Sequence, residues 1–447
     1  MRNDRQNHRS GWVYAIAASV SLLPLVCGLP SANAAEVPDE IAQVLSQDLE
    51  IEGVLTLDRC VEIALERRPS LREVRSGIES QTARVGQAAA PARPQVRIGP
   101  SYSYSYNETG GERGSINTDF TLSQTIFDWD RTNLSVRGAQ QELEARILDE
   151  NDTEQDVVKE VMQAYFSLNR SDRTLSVARE RLENYERRLQ WAKDFYRVGT
   201  KAKIEVTRAE ADYANARLDL VTAQGTRQRA IANLAYAMGL PRTAPERVED
   251  VLAYTPFGVE IEEAVGTAMR ERDDLKAQDV RIDGAETSLA LARKGLSPTL
   301  TGSASYSFSG ENDPVDEKDW RVSVSLSIPV LDGGLTREQV RQAEADLEGS
   351  RARGETMRQN VVLEVRNAHT ALMEAVESLV AAQEVERQAK ETLRLAEGRY
   401  RAGVGESLEI SDAVDAYARA QMNVVTALYN HKAAEIELKR VMGVVGK

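Results

Sequence analysis

The sequence is poor in the residues that usually build disulfides, metal sites and thick hydrophobic cores. Its 447 residues include two cysteines and three histidines, and aromatic residues make up 5%. Cys27 lies in an N-terminal apolar run, so Cys60 cannot form an internal disulfide, and we expect it to be a buried structural thiol. We read His369 and His431 as helix-surface residues. The chain is therefore expected to have no catalytic residues, no metal and no cofactor.

The sequence also lacks an excess of positive charge, since 70 acidic residues outnumber 56 basic ones, and the formal net charge of −14 argues against nucleic acid as a partner. Beyond residue 34 there is no apolar run of the ~20 residues that a membrane-spanning helix needs. Before it, three arginines precede an apolar run over Trp12–Leu29 and an Ala-Asn-Ala cleavage site, which predicts a signal peptide over residues 1–34. Bulky Val26 before Cys27 disfavours lipid attachment. If the mature chain crosses a membrane, it must do so with strands.

What the sequence does contain is a long internal repeat. The segment Tyr196–Tyr213 returns as Tyr400–Tyr417, a shift of 204 positions, and the pair Met238-Gly239 returns as Met442-Gly443 at the same shift. Equal spacing over such a length means that the two halves share one fold. We therefore divide the mature chain into an N-terminal arm, a first repeat, an equatorial linker, a second repeat and a C-terminal tail, over residues 35–56, 57–239, 240–259, 260–443 and 444–447.

Each repeat contains two stretches in which apolar and small polar residues alternate, which is the signature of β-strands. The simpler interpretation is a pair of β-hairpins in a soluble β-sandwich. A membrane barrel is favoured because each strand is about 10 residues long, aromatic residues lie on the apolar face, and Ser, Thr and Arg line the other face. Four strands cannot close a barrel, and lipid does not tolerate an open sheet edge, so several copies must contribute. The aromatic residues that we expect to face lipid are Tyr102, Tyr104, Tyr106, Phe120, Tyr306, Phe308 and Trp320.

The rest of each repeat has helical periodicity. Residues Arg131–Arg197 lack proline and predict one helix of roughly 100 Å, with apolar residues spaced by three and four along its far end. Shorter helices are predicted over 57–90, 205–238 and 260–294. The last two have a summed length close to that of the long helix, so we expect them to stack end to end beside it. The predicted fold is α+β and mostly α, with tandem-duplicated long-helix coiled coils and four strands.

At this point the sequence resembles the TolC family of trimeric outer-membrane efflux proteins. The resemblance is carried by the strand exits Leu122–Asp128 and Leu326–Asp332, the Tyr-Arg-Val-Gly and Tyr-Arg-Ala-Gly helix turns, and the opening helix Leu57–Pro69. It implies a homotrimer in the lipid of the outer membrane of a Gram-negative bacterium. Three chains supply a 12-stranded transmembrane β-barrel, and their helices form a periplasmic α-barrel.

The resemblance also implies a function and partners. Such a channel receives substrates from a periplasmic adaptor protein and an inner-membrane transporter of ABC or RND type, and exports them to the exterior in type I protein secretion or drug efflux. The channel itself catalyses nothing. The competing hypothesis is a periplasmic coiled-coil adaptor or scaffold without a pore, which would explain the heptads and the signal peptide but would not need four aromatic-faced strands. Detergent-dependent solubility separates the two.

Two sites are carried over from the family as hypotheses. In the family, a ring of acidic side chains narrows the tunnel just after the second helix turn. Here Glu409 and Asp412 occupy the matching positions, and Asp415 lies one turn further on. The alternative is that these carboxylates are ordinary solvated helix charges. Tyr400 matches a position that ties neighbouring helices in the closed state, although the arginine often found two residues past the turn glycine is replaced by Gly405.

The second site is the pair of helix turns, which should receive the adaptor's helical hairpin. The glycines of both turns would supply the positive φ of a tight helix exit in any interpretation. The residues expected at these docking tips are Val198, Gly199, Thr200 and Glu205 in the first repeat and Ala402, Gly403, Val404 and Ser407 in the second.

Overall fold

The structure is a computed structural model that describes residues 53–107, 111–240, 247–311 and 317–446. The predicted signal peptide, most of the arm, part of the linker and Lys447 lie outside these ranges. The first repeat contains α1 Leu57–Arg67, α2 Pro69–Ala89, β1 Gln95–Asn107, β2 Gly111–Phe127, α3 Arg131–Arg197 and α4 Lys203–Ala237. The second contains α5 Ile261–Glu271, α6 Asp273–Ala292, β3 Thr299–Glu311, β4 Glu317–Ser327, α7 Leu335–Arg401 and α8 Ser407–Val441.

The elements of the two repeats coincide in length and spacing. Helices α3 and α7 both have 67 residues, and α4 and α8 both have 35. Each begins 204 positions after its counterpart, as do β3 after β1 and α5 after α1. The shared fold predicted from the sequence repeat is therefore observed, and the 67-residue helix has the predicted bounds, Arg131–Arg197.

The prediction of single helices over 57–90 and 260–294 is wrong, because each is broken once. In the first repeat Arg68 is extended, with ψ 126°, because the following Pro69 disfavours helical geometry in the residue before it. Arg272 adopts nearly the same conformation, with ψ 121°, although no proline follows it. The second break has instead a two-point contact, in which the Arg272 guanidinium donates to both carboxylate oxygens of Asp274, at 3.0 and 2.6 Å. The counterpart of Asp274 in the first repeat is Ser70, which offers no carboxylate.

Both breaks lie against the end of the return helix of the same repeat. Arg68 donates to the carbonyl oxygen of Ala237 at 2.9 Å, and Arg272 donates to that of Val441 at 3.4 Å. The expected stacking of α4 on the helix over 260–294 is therefore wrong: α4 meets α2, and α8 meets α6. We call the two contacts the belt joints. Each brings the backbone of Gly239 or Gly443 so close to the broken helix that a Cβ would lie 3.0–3.1 Å from backbone atoms.

The four strands form one antiparallel sheet in the order β1-β2-β3-β4. The pairing of β2 with β3 joins the two repeats, and β1 and β4 have no second strand partner within the described part of the chain. Registered serines confirm the predicted alternation, since the hydroxyls of Ser103 and Ser115 lie 2.7 Å apart on the polar face. Those of Ser303 and Ser323 lie 2.8 Å apart.

Helix α3 is the central helix of the described chain. It packs against α2 and α6 along one part of its length and against α4 and α8 along another, while α7 packs against α6 and α8. The seams are narrow and rich in alanine, as in the cluster of Leu175, Ala178 and Ala223 between α3 and α4. None of the helices in the described ranges combines the length and apolar character needed to cross a membrane.

Candidate functional site: the helix turns and the strand face

The two turns between long helices are built in the same way. Gly199 has φ 78° and Gly403 has φ 77°, a left-handed conformation that glycine adopts without a Cβ penalty. After the first turn, the amide of Thr200 donates to the carbonyl of Phe195 at 2.9 Å. After the second, the amide of Val404 donates to Arg399 at 3.1 Å. These bonds satisfy the last carbonyls of α3 and α7, so the glycines have the predicted helix-ending role.

The predicted docking residues differ in accessibility. Val198 is 69% exposed and Val404 70%, and the turn positions Gly199, Thr200, Ala402 and Gly403 are also exposed. Glu205 is half-buried. Ser407 is only 4% exposed, and its hydroxyl accepts a hydrogen bond from Arg188 at 2.7 Å. The exposed part of each turn is therefore the loop around the glycine.

Tyr400 is buried at the base of the second turn and is 1% exposed. Its ring packs against Phe195, with ring centroids 5.6 Å apart, and against Trp191 at 6.3 Å. Its hydroxyl has no hydrogen-bond partner among the described residues, and burial raises the pKa of this phenol. A Cβ at Gly405 would lie 2.8 Å from the Tyr400 amide nitrogen, so this backbone geometry leaves no room for an arginine there.

Two of the three predicted constriction residues are exposed. The Asp412 carboxylate has no ion pair or hydrogen bond within the described chain, whereas Glu409 pairs with Arg399 across the second turn at 3.1 Å. Asp415 has a different environment. It accepts hydrogen bonds from Arg181 at 2.8 Å and from the Tyr185 hydroxyl at 2.6 Å, both on α3. The structure therefore does not bring the three carboxylates into one set within the chain.

A buried arginine that the sequence analysis missed lies beside this network. Arg188 of α3 is fully buried, donates to Asp212 of α4 and to Ser407 of α8, and lies 5.9 Å from the Tyr185 ring centroid. Ser411 of α8 donates to the same Asp212 carboxylate at 3.0 Å. The sequence did indicate that Arg188 is buried, because position 188 lies three residues after Tyr185 on the apolar stripe of α3.

Further ion pairs join α3 to α8 along the rest of their contact. Arg440 of α8 pairs with Asp152 at 2.8 Å and with Asp156 at 2.7 Å, and Lys159 pairs with Glu437 at 2.8 Å. Because α3 belongs to the first repeat and α8 to the second, these pairs fasten the repeats together. We call this contact the α3–α8 seam.

One histidine also departs from expectation. His431 of α8 is fully buried rather than on the helix surface, because the linker residue Tyr254 covers it with ring centroids 5.0 Å apart. Desolvation lowers the pKa of His431; Glu435 opposes this shift and Lys432 adds to it. His369 is half-buried, with Nε2 3.1 Å from the carbonyl oxygen of Val259.

The remaining candidates for chemistry are few. Cys60 is fully buried as expected, and burial raises the pKa of its thiol to about 12, which keeps it protonated and unreactive. No group of three or more histidine, cysteine or acidic residues at metal-binding positions occurs in residues 53–107, 111–240, 247–311 and 317–446.

The apolar face of the sheet is exposed in a single chain. Tyr102, Tyr106 and Trp320 are 61%, 70% and 71% exposed, and the aliphatic residues between them are similarly open. Edge-to-face contacts join Phe120 to Phe308 at 6.0 Å and Phe308 to Tyr306 at 4.8 Å. An exposed aromatic surface of this extent is the mark of an interaction site rather than of an isolated monomer.

Comparisons with known proteins agree with this architecture. The outer membrane efflux protein family matches residues 60–240 and 264–444, two segments separated by the same shift of 204. The chain is 24% identical over 404 residues to the outer membrane protein TolC of Escherichia coli K12, covering 85% of this chain and 80% of that one. It is 27% identical over 410 residues to the protein CyaE of Bordetella pertussis, covering 88% and 85%.

Solved structures show the same fold. A crystal structure of CusC superimposes with a TM-score of 0.76 at 20% identity, covering 87% of this chain and 92% of that one. The outer membrane protein VceC of Vibrio cholerae gives 0.73 at 18% identity, covering 87% and 96%. Since the family match includes both repeats and most of the sequence, this chain belongs to the outer membrane efflux protein family.

Proposed function

We propose that three copies of this chain form an export channel, with the four-stranded sheets joined into one 12-stranded barrel in the outer membrane. The observation that carries the proposal is the sheet itself. Its edge strands β1 and β4 lack outer partners among the described residues, and one face is covered with exposed aromatic and aliphatic side chains. Joining β4 of one copy to β1 of the next would remove every edge, as a bilayer requires.

The helices support the same assembly. In the part of the chain where α4, α3, α8 and α7 pack in that order, α4 and α7 are the outer members. Each carries exposed aliphatic residues, including Leu218 and Val221 on α4 and Val380 and Val385 on α7, all between 52% and 65% exposed. Contact between α4 of one copy and α7 of the next would cover both surfaces.

Relatives support an export role. Aggregatibacter actinomycetemcomitans has a toxin and drug export protein that is 23% identical to this chain over 354 residues. We propose that this channel serves type I protein secretion or drug efflux, with an adaptor docked on the two helix turns and a transporter of ABC or RND type behind it. The transporter provides the energy, and the channel catalyses no reaction.

We further propose that Asp412, unpaired within the chain, forms the main charge at the constriction, with Glu409 partly neutralised by Arg399. Three copies of a carboxylate around an axis would favour cations. The test is single-channel conductance and cation selectivity of Asp412→Ala and Glu409→Ala, with Asp415→Ala as the matched control one turn away. Asp412→Ala should lower cation selectivity more than Asp415→Ala does. Conductance and selectivity unchanged in both of the first two variants would contradict the ring.

The assembly is tested by the mass of the protein extracted from outer membranes, measured by light scattering and corrected for bound detergent. A trimer supports the shared barrel. A monomer that stays soluble without detergent would instead favour the adaptor or scaffold hypothesis.

A further inference from the structure

The two helix turns have the same backbone but different charges. We call residues 193–205 the first tip and residues 397–409 the second tip; they correspond position by position at the shift of 204. The first tip contains four cationic and two acidic residues, and the second contains two cationic and three acidic residues. Of the two tips, only the first therefore has an excess of positive charge.

The difference grows when ion pairs within the chain are considered. In the second tip both cations are engaged, since Arg399 pairs with Glu409 at 3.1 Å and Arg401 with Glu397 at 3.3 Å. Only Glu406, which is exposed, has no ion-pair partner within the described chain. The second tip therefore presents one unpaired negative charge beside its exposed apolar loop.

In the first tip the unpaired charges that are exposed are positive. Arg197 pairs with Asp194 at 3.2 Å, but Lys193 and Lys203 are exposed and have no carboxylate within ion-pair distance in the described chain. Lys201 is half-buried, with its amine 6.0 Å from the Tyr400 ring centroid. The other acidic residue, Glu205, is half-buried and has no ion-pair partner in the described chain, and one of its carboxylate oxygens is buried without a hydrogen-bond partner.

We propose that the first tip is an electrostatic docking surface for an acidic segment of the partner protein, formed by Lys193 and Lys203 on either side of the exposed loop. The second tip takes the same partner through apolar contacts of Val404 and Leu408, which are 70% and 53% exposed. The inference rests on the proposed docking of an adaptor at the turns, and it adds that the two turns are not equivalent.

Physical chemistry favours an acidic occupant for the first tip. An acidic side chain that approaches Lys193 or Lys203 breaks no ion pair found among the described residues, whereas one that approaches Arg399 or Arg401 must displace a carboxylate already bound. Complementary charge of this kind raises association rates and makes binding depend on salt. Three copies of the first tip act together in a trimer, so weak individual contacts add up through multivalency.

The experiment has two stages, both on the full-length channel. First, benzoylphenylalanine at Val198 or Val404 is photo-cross-linked in cells, and the periplasmic protein attached to each position is identified. Second, that protein is used as the probe, and its binding to purified trimers in lipid nanodiscs is measured at 50 and 300 mM salt. The variants are Lys193→Gln/Lys203→Gln in the first tip, Glu406→Gln in the second tip, and Lys390→Gln, an exposed lysine of α7 outside both tips.

The lysine double variant should bind about tenfold more weakly at 50 mM salt and lose most of the salt dependence. Glu406→Gln and Lys390→Gln should bind within about twofold of the original protein. Cross-linking at Val198 together with normal, salt-dependent binding of the double variant would overturn the inference while leaving adaptor docking intact. Failure of both cross-linking positions to capture a periplasmic protein would refute the docking itself.

Discussion

At the belt joints the two repeats make the same contacts, whereas beside the tips they do not. Arg68 and Arg272 each donate to the last turn of the return helix, and each also bonds the matching glutamate of the long helix, Glu160 or Glu364. Beside the tips, by contrast, the buried Arg188 has the exposed Thr392 as its counterpart. Arg181, which holds Asp415, has Val385 as its counterpart, and this valine is 52% exposed.

The difference follows from which helices meet within one chain. Each belt joint is made inside its own repeat, so the duplicated sequence faces the same neighbour twice. The α3–α8 seam joins the two repeats, and its duplicate would pair α7 with an α4 that belongs to another copy. The polar residues of α3 thus bind α8 of the same chain. The exposed aliphatic residues at the matching positions of α7 suit a contact with α4 of another copy.

The largest expected effect is from Arg188→Ala. It leaves the Asp212 carboxylate without its guanidinium in a half-buried site, so we expect a loss of about 3 kcal/mol in the free energy of unfolding. Thr392→Ala, at the matching position of the second repeat, should cost less than about 0.5 kcal/mol. Thermal unfolding of the purified protein, followed by circular dichroism, measures both. Equal losses of unfolding free energy in the two variants would show that the contacts beside the two tips do not differ in strength.

The belt joints should respond equally. Gly239 and Gly443 have φ of 72° and 74° and lie against the backbone of Arg68 and Arg272, so alanine would be strained at either position. We expect Gly239→Ala and Gly443→Ala each to cost about 2 kcal/mol in unfolding free energy. Gly349→Ala, inside α7 with open space around it, should instead stabilise the protein by about 0.5–1 kcal/mol. A large difference between the two joint variants would contradict their equivalence.

A smaller effect is expected from pH, because only the second repeat has a buried histidine. The pKa of His431 is lowered in the folded protein, so the unfolded chain binds a proton first as pH falls through ~6.5, and stability decreases below that value. We therefore expect the free energy of unfolding to decrease between pH 7 and pH 5.5.

His431→Phe should remove this loss. The counterpart position in the first repeat is Arg227, so Arg227→Gln removes no histidine and should leave the pH dependence in place. Unfolding midpoints measured at several pH values between 5 and 8 decide the question. If the stability of His431→Phe decreases at acidic pH as much as that of the original protein, groups other than His431 cause the decrease.

The smallest changes in unfolding free energy are expected on removing the hydroxyls of two tyrosines near the tips. Tyr185 donates to Asp415 at 2.6 Å, so Tyr185→Phe should cost about 1 kcal/mol in unfolding free energy. Tyr400→Phe removes a buried hydroxyl that has no partner in the described chain and should change stability by less than about 0.5 kcal/mol. A loss from Tyr400→Phe as large as that from Tyr185→Phe would reveal a hydrogen bond that Tyr400 makes to a neighbouring copy.

Periodicity made most of the fold predictable. Alternation located all four strands, the absence of proline allowed one unbroken helix between the strands and the first turn, and the repeat shift located α7 and both turns. The break at Arg272 could not be predicted, because no proline marks it and its cause is a set of contacts to α7 and α8. The corresponding break at Arg68 had a local signal, Pro69, which the helical spacing around it obscured.

The predicted site was harder to assign, because the partner of each charged side chain depends on which helix packs beside it. The acidic spacing of Glu409, Asp412 and Asp415 suggests one set, yet only Asp415 meets the arginine of α3. The burial of His431 depends on the linker that covers it, and the sequence of α8 alone does not indicate that the linker lies there. Local sequence determines both turns and most helix ends, whereas the pairing of charges is a property of the packed helices.

The equal length of α3 and α7 constrains how this protein can change size. Each spans roughly 100 Å, and each ends in its own turn at one end and at the sheet at the other. Seven residues inserted into α3 alone would advance the first turn by about 10 Å past the second. A partner that touches both turns would then lose one of them. Length variants should therefore be tolerated only as matched insertions in all four long helices, α3, α4, α7 and α8, so reach across the periplasm can evolve only by coordinated steps.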